Sequence, residues 1–365
     1  MIVHRILIIL VILSLDSAAD ARSPSPPADG RAIGYGAQAR GGVVPCHFST
    51  EASLRACLGR GGADAIADVA FTVKPRAGRL EIAADTTLDG RGLLTVAPSG
   101  FGLDIHVSNV IVRNTTFRGP GPTRTLYPAV YPGANCTTPR LPKELFGCAV
   151  PIKMRGAAER LWIDHNTFVD CGNACISGWD NGDGTGRPDM ITVSNNVFRD
   201  SFFALGFGVN ERVVALPSPG HITLYGNLFD HIFRRAPRAA GGYQIHVFNN
   251  YWVNWGGGTY PGARIAACNG GFGPSVTGRG EILMEANVAE RGLCGELVDN
   301  QSYNPADGVA RGFGRVRAVG NLGLRGATVT GKDRVDFSPS YPYTLLPVGE
   351  VKTAVLANAG ATQRQ

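Results

Sequence analysis

The sequence contains few charges and lacks several patterns that would assign it to a class. Charged side chains make up 18% of the 365 residues, and the formal net charge of +6 comes from scattered lysines and arginines. Scattered basic residues allow an acidic polymer as a partner, but they do not indicate an arm that binds nucleic acid. No stretch after residue 21 is long and apolar enough to span a membrane. We therefore expect neither nucleic acid nor a membrane as partner.

Motifs of several other site classes are also missing. No Cys-x-x-Cys repeat or cysteine–histidine cluster has zinc spacing, and no Gly-x-Ser-x-Gly elbow occurs. The clustered acids of a β-helical glycan hydrolase are not evident. Residues 326–332 spell most of a phosphate-binding loop, but Asp333 stands where the magnesium-binding Ser or Thr should be. We interpret that segment as a chance match.

Glycine and proline are abundant, and their number argues against a helical fold. The chain contains 49 Gly and 23 Pro, about a fifth of its residues, and both destabilise helix interiors. The glycines follow no triplet period, which excludes a collagen-like chain. One short helix is expected at residues 51–58, before a Gly-rich turn. Most of the remaining chain consists of short β-like runs separated by Asn and Gly.

The amino-terminal end has the pattern of a secretory signal peptide over residues 1–21. A His-Arg pair precedes ten apolar or small residues, and Ala-Asp-Ala then supplies the small residues that a signal peptidase recognises. We expect a secreted, extracellular protein. A flexible leader rich in Pro, Ser and Ala is expected over 22–33, one domain over 34–350, and a C-terminal tail over 351–365.

The cysteines agree with export. The chain contains eight of them, and an even number in an exported protein suggests disulfides. Sequence alone allows many connectivities, but neighbouring cysteines fall into four pairs. We therefore expect four local disulfides, namely Cys46–Cys57, Cys136–Cys148, Cys171–Cys175 and Cys268–Cys294.

A repeat of the form strand, Asn, any residue, aromatic runs through the chain. From Asn166 onward the repeated Asn recurs after 30, 31, 23, 37 and 34 residues, so each unit holds several short strands. Single units of this kind cannot bury an apolar face, whereas stacked units can. An Asn amide can bond to the equivalent Asn one rung away, and the aromatics can stack inside. The clearest copies are residues 110–117, 161–168, 191–198, 222–229 and 245–252.

This repeat predicts an all-β fold, specifically a right-handed single-stranded parallel β-helix. Asn at the repeated turn also suits a left-handed backbone conformation. The alternative is a β-sandwich with coincidental Asn turns. Sandwich strands usually recur every 8–12 residues, without a shared Asn-x-aromatic tag. The longer, tagged repeat therefore favours the β-helix.

Several blocks of the sequence resemble, in the same order, the pectate lyase/pectin lyase superfamily, polysaccharide lyase family 1-like. The resemblance extends from about Gly34 to Gly323 and implies the parallel β-helix independently of the repeat. It also implies β-elimination across the glycosidic bond of a uronic acid, in which a base removes the C5 proton and the C4–O bond breaks. The blocks are residues 86–92, 109–114, 161–165, 191–196, 235–238 and 246–251.

The resemblance also implies roles for individual residues. Arg235 falls on the catalytic Arg of the family, which acts as the base. Arg238 lies in the same block and resembles a residue that holds the substrate or the turn, and Asp164 resembles an acid that faces the cleft. Lys153 could supply further positive charge to the cleft. A guanidinium normally stays protonated, so Arg235 could instead bind a carboxylate, unless a dense cationic site lowers its proton affinity.

Calcium binding is the least certain implication, because the residues depart from the family pattern. Asn173 and Ser177 occupy the positions of a calcium-binding acid pair, and Ala240 replaces a second substrate-binding Arg. Asp180 and Asp183, in a Gly-rich insertion, could hold Ca²⁺ through oxygen ligands instead. A plain turn rich in Asn and Asp explains these residues equally well. Ca²⁺ is therefore a possible cofactor whose usual ligands are not matched.

Taken together, these patterns predict a secreted, monomeric polysaccharide lyase that cleaves pectate or polygalacturonate. Its partner would be an acidic polysaccharide, pectate or pectin. Two alternatives remain open at the level of sequence. One is a calcium-independent, pectin lyase-like enzyme, and the other is a non-catalytic β-helix that binds polysaccharide.

Overall fold

The protein forms three parallel β-sheets that wind around one apolar core. The computed structural model describes residues 31–75, 79–97, 101–119, 150–171, 174–180, 187–209, 219–256, 273–292, 295–298, 303–304, 309–310 and 314–362. From strand β2 (Ala63–Ala67) to strand β24 (Val288–Glu290) the chain passes in each turn through sheet A, then sheet B, then sheet C, and returns to sheet A. Every strand pair within these three sheets is parallel. The structure confirms the parallel β-helix.

Sheet A is the longest of the three. Its ten strands, in spatial order, are β1 (Val44–Phe48), β2 (Ala63–Ala67), β5 (Thr86–Asp89), β8 (Val110–Arg113), β11 (Glu159–Asp164), β14 (Asp189–Ser194), β17 (His221–Tyr225), β20 (Gln244–Phe248), β23 (Glu281–Glu285) and β27 (Arg315–Val319).

Sheets B and C complete each turn of the winding. The strands of sheet B are β3 (Phe71–Val73), β6 (Leu94–Val96), β9 (Thr116–Arg118), β12 (Thr167–Val169), β15 (Val197–Arg199), β18 (Leu228–Asp230), β21 (Tyr251–Val253), β24 (Val288–Glu290) and β28 (Leu322–Leu324). Those of sheet C are β4 (Leu80–Glu81), β7 (Phe101–Ile105), β10 (Val150–Met154), β13 (Ala174–Asp180), β16 (Phe203–Val209), β19 (Arg238–Ala240) and β22 (Ser275–Thr277). A separate antiparallel pair joins β25 (Tyr303–Asn304) to β26 (Val309–Ala310).

A ladder of buried asparagines fixes the corner between sheets A and B. Asn196 donates from Nδ2 to Oδ1 of Asn227 at 3.1 Å, and Asn227 donates in the same way to Asn250 at 2.9 Å. Each Asn also receives a backbone N–H from the rung before it. The predicted bonding between equivalent Asn residues is thus confirmed. The full ladder is Asn166, Asn196, Asn227, Asn250, Asn287 and Asn321.

The left-handed backbone at this corner differs from the expectation. The residue with positive φ is the one before each ladder Asn, such as His165 (φ 50°), Asn195 (φ 51°) and Ala286 (φ 46°). The ladder Asn residues are not among the residues with positive φ, and their amides bond along the helix axis to the next rung. The tolerance of Asn for positive φ therefore explains Asn195 but not the repeated Asn.

The repeated aromatics stack in the core, as the sequence indicates. Successive ring centroids lie 5.0, 4.9, 5.1 and 5.0 Å apart, and neighbouring rings are tilted by at most 15°. These separations match the spacing between hydrogen-bonded strands. All five rings are fully buried. The stack consists of Phe117, Phe168, Phe198, Phe229 and Trp252.

The amino-terminal segment covers the outer face of sheet A. The backbone N–H groups of Tyr35, Gly36 and Gly42 donate to the hydroxyls of Thr223 (3.1 Å), Thr192 (2.9 Å) and Thr87 (3.2 Å). The segment therefore crosses several rungs along the helix axis. Residues 31–33 of the expected leader lie within the described chain, and there Ala32 is buried against sheet A.

The carboxy-terminal segment covers the outer face of sheet B. Helix α2 (Val348–Asn358) packs Val351 and Val355 against the outward apolar side chains of that sheet. Lys352 Nζ lies 2.5 Å from Oε2 of the buried Glu290. The domain boundary expected at residue 350 falls inside this helix, so the first half of the expected tail packs on the β-helix.

The remaining helix and the disulfides follow the sequence expectations. Helix α1 (Glu51–Leu58) forms where it was expected and begins at the capping residue Thr50. The disulfides Cys46–Cys57 and Cys171–Cys175 are confirmed. The other two expected pairs, and the signal peptide, lie outside the described residues. Among the described helices, none has the length and apolarity to cross a membrane.

The asparagine ladder yields a stability prediction. Asn227→Ala removes an amide that bonds to both neighbouring rungs and leaves buried backbone groups without partners, which costs about 1–3 kcal/mol per group. We expect a clear drop in the urea midpoint of unfolding. Asn358→Ala, which removes one bond at the end of α2, is the control and should change it little. Equal midpoints for the two variants would contradict the role of the ladder.

Candidate functional site

One row of side chains runs along the outer face of sheet C, parallel to the helix axis. The positions on either side of it, such as Leu103, Ile152, Leu205 and Phe207, are fully buried in the core. Because side chains alternate along a strand, the positions between them face outward. Strand pairing places these outward residues in one register, which we call the sheet C row: Asp104, Lys153, Ser177, Gly206, Arg238 and Ser275.

The sheet C row brings two of the predicted site residues onto one face. Lys153 and Arg238 are separated by Ser177 and Gly206, that is, by three strand spacings or about 14 Å. Gly206 leaves the middle of this interval open, since a Cβ built there meets only the Arg238 Cβ, at 3.8 Å. We call this interval between the two cationic side chains, which Ser177 and Gly206 occupy, the trough.

Arg235 occupies the turn that leads into strand β19, next to this trough. Its backbone has φ 58°, and its carbonyl accepts the N–H of Leu205 at 2.9 Å. The following Ala236–Pro237 peptide bond is cis. The Arg235 guanidinium carbon lies 3.9 Å from the ring centroid of Phe203, a close cation–π contact. The backbone and the ring together fix the position of this side chain.

Two further arginines lie beside Arg235. The guanidinium of Arg234 lies 5.7 Å from the same Phe203 ring. Arg238 is only 6% exposed, and its Nη2 donates to Oγ1 of Thr277 on the next rung at 3.1 Å. The Arg-x-Pro-Arg block thus places three guanidinium groups around one turn at the edge of sheet C.

The structure separates Asp164 from these residues. Asp164 ends strand β11 at the corner between sheets A and B, where it is 3% exposed. Its carboxylate accepts from Ser194 Oγ (2.6 Å) and Asn195 Nδ2 (3.0 Å), and it lies 2.5 Å from His165 Nδ1. All three partners belong to the same corner. These contacts assign Asp164 to the support of that turn, and its place two positions before the repeated Asn166 is the sequence signal of this corner.

The two aspartates of the insertion are only partly within the described chain. Asp180 ends strand β13, three positions after Ser177, and its backbone pairs with Val209. Asp183 lies outside the described residues. Ser177, which occupies the position of one calcium-binding acid in the family pattern, faces outward within the sheet C row.

An acidic cluster that sequence reasoning missed lies at the amino-terminal end of the sheet C row. Carboxylate oxygens of Glu81 and Asp104 and a ring nitrogen of His106 lie within 4.8 Å of one another. Arg155 donates to Asp104 from Nε (3.0 Å) and Nη2 (2.8 Å), and Arg79 donates to it as well. Burial alone raises the pKa of Asp104, but the two arginines outweigh it and hold that pKa below its ordinary value.

This cluster does not fit Ca²⁺. Calcium requires several oxygen ligands, whereas both oxygens of Asp104 already accept arginine hydrogens and His106 offers nitrogen. From Lys153 to Ser275, the sheet C row carries no carboxylate among its described members. Glu81 and Asp104 are 23 residues apart, a spacing that also occurs in the repeat, so the sequence could have indicated that they pair, whereas the 51 residues between Asp104 and Arg155 exceed every interval of the repeat.

The sequence matches known proteins over this same region. Residues 150–311 match the family model described as pectate lyase. "Probable pectate lyase 8" of Arabidopsis thaliana is 25% identical over 203 residues, 54% of this chain and 42% of the relative. "Probable pectin lyase B" of Aspergillus niger is 27% identical over 213 residues, 56% of this chain and 52% of the relative. The chain therefore spans less than two thirds of these curated relatives.

Solved structures share the fold over nearly the whole chain. The major allergen of cedar pollen has a TM-score of 0.65 at 18% identity, covering 91% of this chain and 93% of the allergen. A pectate lyase from Bacillus sp. N165, in complex with trigalacturonate, has a TM-score of 0.52 at 16% identity, covering 90% and 98%. At these identities the structures establish the parallel β-helix, while the family match and the curated relatives confirm the resemblance to the pectate lyase/pectin lyase superfamily.

Proposed function

We propose that the protein is a polysaccharide lyase that cleaves a polyuronate of the pectate type by β-elimination. The observation that carries this proposal is the placement of Lys153, Arg235 and Arg238 around one trough on the outer face of sheet C. The matched relatives named as pectate and pectin lyases, and the related structure with trigalacturonate, support the same substrate class. The outer faces of sheets A and B contact the chain's own terminal segments.

The proposed chemistry follows from the charges on this face. A polyuronate carries a carboxylate on every ring, and β-elimination builds further negative charge next to that carboxylate as the C5 proton leaves. Arg238, in the same block as Arg235, would stabilise this charge, which is the usual source of rate enhancement in such a site, whereas Lys153 would bind the carboxylate of another ring along the row. The electron pair of the C5–H bond forms the C4=C5 double bond, and the C4–O bond breaks to release the rest of the chain.

Arg235 is the proposed base. A guanidinium normally holds its proton, but positive neighbours lower the cost of releasing it. Arg234 shares the Phe203 ring with Arg235, and Arg238 lies three residues on. The ring also removes water from one face of the Arg235 group. In this proposal Asp164 takes no part, because its contacts all lie at the corner between sheets A and B, away from sheet C.

A calcium-independent form of this lyase is the version that the described residues favour. Arg238 would provide the positive charge beside the reacting ring for which the resemblance implies Ca²⁺, and Lys153 would bind a carboxylate further along the row. The acidic cluster around Asp104 is occupied by arginines, and Ser177 and Gly206 offer no carboxylate. A calcium site built from Asp180 and Asp183 stays a second possibility, which a chelator tests directly.

We further propose that the protein is secreted and monomeric. The signal-like residues 1–21 and the two confirmed disulfides support secretion. At the β27 edge of sheet A, residues 331–333 pair with strand β27 in the antiparallel sense and cover it. This covered edge supports a monomer. A covered edge does not invite pairing with another chain.

The activity prediction uses ultraviolet absorbance of the unsaturated product. The mature protein should generate this signal on polygalacturonate or on methyl-esterified pectin, and Arg235→Ala should lower kcat by at least about a hundredfold, the usual scale for losing a general base. Arg199→Ala is the matched control, since Arg199 pairs with Asp230 on sheet B and lies outside the trough. A chelator should leave the rate unchanged if the cations of the sheet C row suffice.

Two outcomes of this experiment would change the account. Loss of activity with chelator, and again in the Asp180/Asp183 double variant, would move the positive charge to a metal in the insertion. No product on either substrate from the folded protein, together with retained binding, would indicate a non-catalytic polysaccharide-binding β-helix.

A glycine pair tests whether the trough itself binds substrate. Gly206→Val adds a side chain to the trough, and the nearest atom to its Cβ lies 3.8 Å away. We expect an unfolding midpoint near that of the wild type and a rise in KM of about tenfold or more. Gly178→Ala on the next strand should instead lower the unfolding midpoint and leave KM unchanged, since its Cβ would lie 2.5 Å from Phe207 Cδ1 in the core. An unchanged KM in Gly206→Val would place the substrate elsewhere.

A further inference from the structure

His246, on the outer face of sheet A, is buried beneath residues that come from near the carboxy-terminal end of the chain. It lies on strand β20, and its side chain is 0% exposed. Nδ1 of the ring lies 2.6 Å from the hydroxyl oxygen of Tyr341, and Nε2 lies 2.9 Å from Oε2 of Glu285 on strand β23. Both nitrogens of this imidazole are therefore engaged, on a face that the proposed lyase site does not use.

The hydrogen bonds continue from this imidazole into both terminal segments. The Tyr341 hydroxyl lies 2.8 Å from Oγ1 of Thr223, which accepts the backbone N–H of Tyr35 at 3.1 Å. On the other side of the ring, Tyr343 donates its hydroxyl to Oε2 of Glu285 at 2.7 Å. One chain of hydrogen bonds thus joins the amino-terminal segment, sheet A and the residues before helix α2. We call it the sheet A network: Tyr35, Thr223, His246, Glu285, Tyr341 and Tyr343.

The chemistry of these groups fixes the direction of each hydrogen bond. An ionised Glu285 can only accept, so Nε2 of His246 carries a proton. In a neutral imidazole Nδ1 is then an acceptor, and Tyr341 donates to it. The Tyr341 oxygen accepts in turn from the hydroxyl of Thr223, whose oxygen accepts the N–H of Tyr35. With a neutral His246, every donor along this chain has an acceptor.

Protonation of His246 would break this order. Nδ1 would become a donor toward the Tyr341 oxygen, and the Tyr341 hydroxyl would have to turn toward Thr223. The Thr223 hydroxyl would then lose the acceptor that it has in the network, and Thr223 is fully buried. A buried polar group that loses its partner destabilises the folded state. The network therefore favours the neutral imidazole.

The charges around the imidazole act together with this order. Burial lowers the pKa of His246 below its ordinary value, and the neighbouring Glu285 opposes that shift only in part. The hydrogen bond from His246 holds the pKa of Glu285 below its ordinary value, and the Tyr343 hydroxyl and the charge of Arg317 act in the same direction. At neutral pH Glu285 is therefore ionised and His246 is neutral.

The tyrosines that face the network keep their charge between about pH 7.5 and about pH 5.5, the range in which an ordinary imidazole titrates. Burial raises the pKa of Tyr35 and of Tyr343 to about 12, and it raises that of Tyr341 as well. His221 is a second imidazole nearby, since its ring centroid lies 5.0 Å from that of Tyr35 and its Nδ1 lies 3.2 Å from Oδ1 of Asp189. Among the described groups around the network, the two imidazoles are thus the ones to compare.

This arrangement couples the covering of sheet A to pH. The Tyr341 and Tyr343 rings lie 5.8 and 4.6 Å from the His246 ring, so the imidazole reaches water once these residues separate from the sheet. A histidine whose pKa is lowered in the closed form stabilises that form above its ordinary pKa, which is 6.5. The stabilisation declines as the pH falls below that value, because the open form takes up the proton.

We propose that His246, with Tyr341 and Glu285, is a pH-sensitive latch that holds the two terminal segments on the outer face of sheet A. At neutral pH the unprotonated imidazole completes the sheet A network, and the latch is closed. In acid the exposed imidazole binds a proton and favours the open form, in which Tyr35 and residues 341–346 separate from the sheet. This inference does not depend on the proposed lyase activity.

Amide hydrogen exchange of the mature protein tests the latch. The probes are the backbone N–H of Tyr35, which donates to Thr223, and that of Leu346, which donates to Oδ1 of Asn249. Each exchange rate is divided by the rate of an unstructured peptide at the same pH. If the open imidazole has its ordinary pKa of 6.5 and the closed one takes up no proton, the open population rises about tenfold from about pH 7.5 to about pH 5.5. We expect the protection of both amides to fall by that factor.

His246→Gln is the decisive variant. Glutamine offers an N–H to Glu285 and a carbonyl oxygen to Tyr341, and it does not titrate. We expect the protection of both probe amides to be nearly equal at the two pH values in this variant. His221→Gln is the matched control, with the same substitution on the neighbouring strand β17, and it should keep the tenfold fall.

Tyr341→Phe tests the hydrogen-bond chain without changing the imidazole. It keeps the ring over His246 and removes the hydroxyl that joins it to Thr223. Protonation of His246 then no longer disturbs Thr223, so we expect a smaller pH-dependent fall in protection than in the wild type. This variant also decides the question if His246→Gln does not fold, since an unchanged tenfold fall would contradict the chain.

The remaining outcomes separate the latch from other causes of acid sensitivity. A tenfold fall that persists in His246→Gln overturns the latch, and its loss in His221→Gln instead assigns the pH dependence to His221 and Asp189. Equal protection at both pH values in the wild type overturns it as well. An equal fall at a core amide such as that of Val193 would show that the whole domain unfolds in acid, which also overturns the latch.

Discussion

The register between successive rungs is the constraint on which the rest of the structure depends. Side chains in a strand alternate between the two faces, so a slip of one residue would turn every outward group into the core. The buried amides from Asn166 to Asn321 and the ring stack from Phe117 to Trp252 act on every rung and oppose such a slip. Because they fix one register, Lys153 and Arg238 align on sheet C although 85 residues of sequence separate them.

The two terminal segments cover the outer faces of sheets A and B. The amino-terminal segment crosses sheet A through hydrogen bonds to Thr87, Thr192 and Thr223, and helix α2 packs on sheet B. These contacts serve stability on two faces, while the outer face of sheet C gathers arginines and a lysine. A polyanion would meet complementary charge there. The proposed function thus places binding on a different face from the two that the terminal segments cover.

Sequence periodicity predicts the winding but not the site in full. The Asn-x-aromatic tag predicts the ladder and the stack because it repeats on every rung, and the Arg-x-Pro-Arg block marks the turn at Arg235. Asp164 stands two positions before the repeated Asn166, so the repeat could have placed it at the corner between sheets A and B, whereas its likeness to a cleft-facing acid predicted a different position. The Asp104–Arg155 contact depends on strand pairing across a long interval. Helix α2 has apolar residues at Val348, Val351 and Val355, a helical spacing that runs across the boundary expected at residue 350.

The central claim is that an acidic polysaccharide binds along the sheet C row. A crystal structure of the Arg235→Ala protein with hexagalacturonate tests it most directly. The account predicts sugar rings in the trough above Gly206, with carboxylates at Lys153 and Arg238 and the chain running parallel to the helix axis. An oligosaccharide bound to the outer face of sheet A or B, or lying across the rungs rather than along them, would contradict it.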